Sequence, residues 1–196
     1  MEYFIGLSFH QSSIHHKKIE SFRRRFDSKY QHSQLLQLTL LPPFQIDFKN
    51  NVDLENFEDE IRELLEGHLY GLDEIAQIEF FGISFTLGQK GVVSLTPKIS
   101  PDLLHCQESL YHLLKEAGAH FMKTKSSTNT FLPIGRCDSS EQLENAIEIA
   151  KVEFSSPFVL EGESFILFEK KPKLWVPKTK LFDLKSQDHF ILVNGL

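Results

Sequence analysis

The sequence predicts an α+β protein with mixed or antiparallel sheets. Three observations carry this. Segments of strand and helix periodicity follow one another in the order βαβα, ββα, βα, ββ rather than in regular alternation, which argues against a parallel doubly wound sheet. Hydrophobic residues make up 41% of the 196 residues and include 18 Phe, enough large side chains to fill a substantial core. No low-complexity stretch or Pro/Gly/Ser-rich linker divides the chain. Residues 1–184 are therefore read as one domain, and the weakly patterned residues 185–196 as a C-terminal tail.

Residues 3–9 are apolar and aromatic and read as a strand. Residues 14–26 read as a helix, with Ile19, Phe22 and Phe26 at helical spacing. Its outer face carries Lys17, Lys18, Arg24 and Arg25, which is either a solvated surface or a surface for RNA phosphates. Residues 35–41 read as a second strand, stopped by Pro42-Pro43 because proline cannot donate to a ladder. Asp53 reads as an N-cap before the buried stripe Leu54, Phe57, Ile61, Leu64 and Leu65. Residues 75–87 and 92–97 read as a hairpin around Gly88-Gln89-Lys90-Gly91.

Residues 101–117 read as a helix with Leu103, Leu110, Leu113, Leu114 and Ala117 inward, closed near Gly118. Residues 131–136 read as a strand. Asp138 and Glu141 have capping-box spacing before a helix through Val152. Residues 158–169 and 174–184 complete the pattern as two strands.

Charge and composition exclude several functions. The net charge is −6, and residues 53–66 hold seven carboxylates against Arg62 alone, so the rest of the chain is neutral overall. That excludes the whole-surface nucleic-acid binding of a strongly basic protein. No apolar run approaches the roughly 18 residues of a membrane span, and Glu2 stands where a signal peptide carries basic residues. Cys106 and Cys137 form no metal pattern and read as reduced thiols of a cytoplasmic protein. The expectation is no cofactor, no metal and no membrane partner. Glycine-rich phosphate loops, GxSxG elbows, HExxH and paired CxxC are absent. His112, Glu116 and His120 are spaced for one helical face, but Gly118 ends the helix before His120, so a solvated face is the simpler reading.

The informative segments are Gln37-Leu38-Thr39-Leu40-Leu41-Pro42-Pro43-Phe44 and Phe131-Leu132-Pro133-Ile134-Gly135-Arg136. Alternation places Gln37 with Thr39 on one strand face, and Phe131 with Pro133 on another. The two segments resemble the signature strands of the 2H phosphoesterase superfamily, which includes the bacterial 2′-5′ RNA ligase and cyclic phosphodiesterase family. Its pattern is His-x-Thr/Ser-x, present twice; here positions 37 and 131 lie 94 residues apart. Tyr3-Phe4-Ile5-Gly6-Leu7 resembles the family's first strand, and Phe22-Arg23-Arg24-Arg25-Phe26-Asp27 the end of its first helix. Trp175, Phe182 and Leu184 resemble its aromatic final strand. The resemblance implies a bilobal fold, with two pseudo-symmetric antiparallel sheets around a central cleft and helices outside.

It also implies a mechanism that this chain cannot run unaltered. In active members one His takes a proton from the attacking hydroxyl and the other gives one to the leaving oxygen, while Thr or Ser hydroxyls hold the phosphate oxygens. Here Gln37 and Phe131 replace the histidines and Pro133 replaces one hydroxyl; Thr39 remains. Gln cannot exchange a proton at useful pH and Phe cannot hydrogen-bond. Loss of one positioned acid or base typically removes about 10²–10⁴ in rate. His32, if extended, lies ~17 Å from Gln37 with opposite parity, and His10 follows the first strand.

Three functions follow. The first is a degenerate cleft that binds a nucleotide, an RNA end or a small organic phosphate without hydrolysis. Gln37, Thr39 and Arg136 would make the polar contacts and Phe131 would stack on a base. Arg136 has the opposite parity from Phe131. The second is an active phosphodiesterase with relocated acid–base groups. The third is an interaction module that keeps only the fold, using the Lys17–Arg25 surface.

Overall fold

The computed structural model describes residues 1–30, 35–48, 51–69, 77–87, 91–122, 130–172 and 174–184. In chain order the elements are β1 (Glu2–Phe9), α1 (Ile14–Phe26), β2 (Gln37–Gln45), α2 (Asn51–Leu69), β3 (Gln77–Thr86) and β4 (Gly91–Lys98). They continue as α3 (Pro101–Glu116), β5 (His120–Phe121), β6 (Leu132–Cys137), α4 (Ser140–Glu153), β7 (Phe158–Lys170) and β8 (Trp175–Asp183). The α+β class is as the sequence predicts.

The strands pair antiparallel in the order β5-β2-β1-β7-β3-β4-β6, with β8 also on β7. The long strand β7 joins two sheets. Its first residues, Phe158 to Glu161, pair with β3, whereas Gly162 to Glu169 pair with β1 and Ser164 to Lys170 with β8. Exchanging β1 with β4, β2 with β6 and β7 with β3 reproduces the core of the strand order, β2-β1-β7 against β6-β4-β3. The chain is thus built from two similar halves, each half a strand–helix–strand–helix–strand unit.

The helices cover the sheets crosswise. α1 packs on β6 and β7, and α4 on β4 and β6; α2 packs on α3 and β8, and α3 on β2. The core lies on the helix side of the sheets, where Ile5, Leu7, Leu38, Leu40, Phe165 and Leu167 are buried together with the stripes of the helices. A second, smaller cluster of Phe4, Ile166 and Phe168 lies on the opposite face of β1 and β7. Phe4 stacks on Phe168 at 4.5 Å and meets Trp175 edge-on at 4.9 Å.

Several local expectations are corrected. β2 does not stop at Pro42-Pro43. Tyr3 pairs with Phe44 and Ile5 with Leu41, so β2 bulges there by one residue and the missing N–H groups fall in the bulge. Pro43 still contributes its carbonyl, which accepts from Met122 N at 3.1 Å. Asp53 is not a cap but sits in the first turn of a helix beginning at Asn51. The cap of α4 is Ser139, whose hydroxyl accepts from Gln142 N, while Gln142 Oε1 accepts from Asp138 N. The cap is therefore Ser139, one residue beyond the expected Asp138, and the Gln142 side chain reaches back to Asp138 N rather than to the N–H of the cap itself, so the expected box of Asp138 with Glu141 does not form. The two-residue strand β5 is too short to show periodicity. The hairpin turn 88–90, His32, residues 75–76 and the tail 185–196 lie outside the described residues.

Candidate functional site

Gln37 and Thr39 stand half-buried on β2, on the face opposite Leu38 and Leu40. Gln37 is paired with Ser8 and Thr39 with Gly6. Strand alternation therefore puts Ser8, Gly6, Gln37 and Thr39 on one face. Ser164 of β7, opposite Ser8, joins them, with the two hydroxyl oxygens 3.0 Å apart. Gly6 leaves little room there. An added Cβ would lie 3.2 Å from Phe4, 3.3 Å from Phe168 and 3.3 Å from the Leu38 carbonyl oxygen.

In the other half, Phe131 precedes β6 rather than starting it and is 36% exposed. Pro133 pairs with Ser94 of β4, and a bulge follows, so that Gly135 pairs with Val93 and Arg136 with Val92. Val92 and Ser94 share a face of β4. The bulge therefore brings Arg136 to the same face as Pro133, against the opposite parity that simple alternation gives. Although β2 and β6 lie far apart along the sheet order and share no ladder, residues of the two come within 8 Å, Cα to Cα. The sheet curls until its two related strands meet.

Arg136 is held at its place. Its Nη1 donates to Asp27 Oδ2 at 2.7 Å, and the Asp27 side chain is fully buried. Asp27 closes α1 and also lies 3.9 Å from Arg23 Nε. Arg23 bonds Glu20 in turn, and Glu20 accepts from the Tyr30 hydroxyl at 2.9 Å. His16, Glu20, Arg23 and Asp27 thus form a polar stripe on α1 beside the apolar stripe of Ile19, Phe22 and Phe26. The spacing was visible in the sequence at positions 16, 20, 23 and 27, but nothing there distinguishes such a stripe from a solvated face.

Two buried imidazoles complete the inventory. His10 follows β1 with its backbone N–H donating to the Glu161 carbonyl oxygen at 3.0 Å, and it has the parity of Ser8. His16 lies one turn into α1. The Nε2 of each is buried with no hydrogen-bond partner among the described residues. Burial lowers the His16 pKa, against the opposing pull of Glu20. The thiols are buried; desolvation pushes Cys106 up to about 12 and raises Cys137.

The basic face of α1 is largely engaged within the fold. Lys18 donates to the Glu153 carbonyl, Arg25 pairs with the Glu153 carboxylate at 2.7 Å, and Arg24 bonds Tyr30. The acidic segment contributes to a groove of about 630 Å³ between the end of β2, α2 and α3, where Asp47, Asp53, Glu60 and Glu116 set a sign that repels anions. Gly118, with φ 83°, separates α3 from His120, which lies in β5. Among the described residues no three His, Cys, Asp or Glu side chains are grouped to hold a metal.

No protein-family model matches the sequence, and no curated protein matches it. Among solved structures, the chain is similar to a phosphoesterase crystal structure at 11% identity and a TM-score of 0.47, over 91% of this chain and 95% of that one.

Proposed function

We propose that the face shared by β2 and β6 is a ligand cleft of 2H-phosphoesterase-like design that binds a nucleotide, an RNA end or a small organic phosphate and does not hydrolyse it. The observation that carries this reading is the approach of β2 to β6 from opposite ends of the sheet. It brings together the two segments that resemble one repeated motif, in related positions of two similar halves. Thr39 would donate to a non-bridging phosphate oxygen and Gln37 to a second acceptor. Arg136, positioned by Asp27, would offer its remaining N–H groups as a planar, permanently charged anion partner. Phe131, partly exposed, would stack on a base.

Hydrolysis by the family's route needs a proton taken on one side of the phosphorus and given on the other. Neither Gln37 nor Phe131 can exchange one. Calorimetric titration with 2′,3′-cyclic AMP, followed by chromatography of the mixture, tests the proposal. It requires saturable binding, no product above background, and a loss of about tenfold or more in affinity for Thr39→Ala. Absence of binding, or turnover that survives Thr39→Ala, overturns it.

A further inference from the structure

We propose that Ser94 of β4 supplies the second phosphate-binding hydroxyl of the cleft, from across the ladder at the place where Pro133 has none. The inference rests on the reading of the β2–β6 face as an anion cleft, and it adds a residue that lies outside both motif segments. The exchange of halves that matches Thr39 with Pro133 also matches β1 with β4. In the first half Thr39 stands opposite Gly6 of β1. In the second half Pro133 stands opposite Ser94 of β4. Each pair therefore holds one hydroxyl. It is on β2 beside a glycine in the first half, and on β4 beside a proline in the second. Directly paired residues have Cβ atoms about 4.5–5.5 Å apart, so the hydroxyl is displaced by one strand.

The faces agree. Val93 and Leu95, on either side of Ser94, are buried in the core. Alternation turns Ser94 the other way, to the face of Pro133 and, through the β6 bulge, of Arg136. Gln37 and Thr39 likewise point away from the core on β2. Ser94 is nevertheless only 7% exposed, and a hydroxyl so deeply buried ordinarily has a hydrogen-bond partner. In the first half Ser8 and Ser164 meet that need by bonding each other at 3.0 Å. Ser94 stands opposite Ser84 of β3, but among the described residues neither Ser84 nor any other group bonds its hydroxyl. Its O–H can donate to a non-bridging oxygen of a bound phosphate. Arg136, held by Asp27 at 2.7 Å, supplies the charge beside it. The phosphate is then held by one hydroxyl from each half and by one guanidinium.

Calorimetric titration of the full-length protein with 2′,3′-cyclic AMP tests this, with unfolding midpoints in denaturant as the control for folding. Ser94→Ala should lose about tenfold or more in affinity at an unchanged midpoint. Adding Pro133→Ser to Ser94→Ala should recover most of that loss, because it returns a hydroxyl to the other side of the ladder. Ser94→Thr, which keeps a hydroxyl at the position, is a second route to recovery if Pro133→Ser disturbs the bulge. Undiminished binding by Ser94→Ala overturns the inference, and a loss for Thr39→Ala in the same experiment leaves the cleft reading standing. A loss in Ser94→Ala that neither Pro133→Ser nor Ser94→Thr relieves also overturns it, since Ser94 then serves the fold alone. A wild type that does not bind overturns both.

Discussion

At position 37 a carboxamide stands where the resemblance places an imidazole, and at 131 a phenyl ring. A carboxamide holds a ligand but moves no proton, so on the proposed reading the family's chemistry is lost at two side chains while the strands that carry them persist. Gln37→His alone should therefore give little cyclic-nucleotide hydrolysis. Gln37→His with Phe131→His should exceed the combined single effects, because an acid and a base act as a unit; product formation by chromatography measures this. Equal, additive gains would show that the two positions do not share a substrate. Arg136 gives a second residue-level test. Asp27→Ala leaves Arg23 and Arg136 without the buried carboxylate between them and should cost about 3–5 kcal/mol in denaturant unfolding. Arg136→Ala, one-third exposed, should cost less while weakening phosphate binding.

At the scale of elements, the helices and most strands were legible because their periods are strong. Ile19, Phe22 and Phe26 of α1, and Leu103, Leu110 and Leu114 of α3, are buried as their spacing predicts. What escaped the sequence was local irregularity. A bulge carries β2 through two prolines, and another turns Arg136 onto the face of Pro133. Alternation assumes an unbroken ladder, and one extra residue reverses every side chain beyond it. The polar stripe of α1 escaped for a different reason, since burial of Arg23 and Asp27 depends on β6 lying alongside.

Two predictions belong to this scale. Gly91→Ala would set a Cβ 2.2 Å from Leu143 Cδ2, which is buried in α4, and should destabilise the protein by about 1–3 kcal/mol in denaturant unfolding. His16 should make the docking of α1 sensitive to acid. Its pKa is lowered on folding, so its neutral form is compatible with full stability above the unfolded value of 6.5, and stability falls as pH drops below it. His16→Gln should flatten the dependence of unfolding free energy on pH below 6.5; an unchanged profile would assign it to other groups.

At the scale of the whole molecule, the two-halved architecture follows from strand order. The palindrome β2-β1-β7 and β3-β4-β6 places related strands at the ends of a curling sheet, and those ends meet. The sequence hinted at this only through two weak, similar segments, because pairing partners far apart in the chain leave no periodic signal. The acidic groove at α2 and the engaged basic residues of α1 disfavour those surfaces for an anion, and the proposal places it instead on the β2–β6 face, at Thr39, Gln37 and Arg136. The most direct measurement is a two-dimensional amide NMR titration of the wild-type protein with 2′,3′-cyclic AMP, with product followed in the same tube. The account predicts saturable shifts at both Gln37 to Thr39 and Phe131 to Arg136 while the nucleotide stays intact. Shifts confined to other surfaces, or to one of the two strands alone, would contradict it.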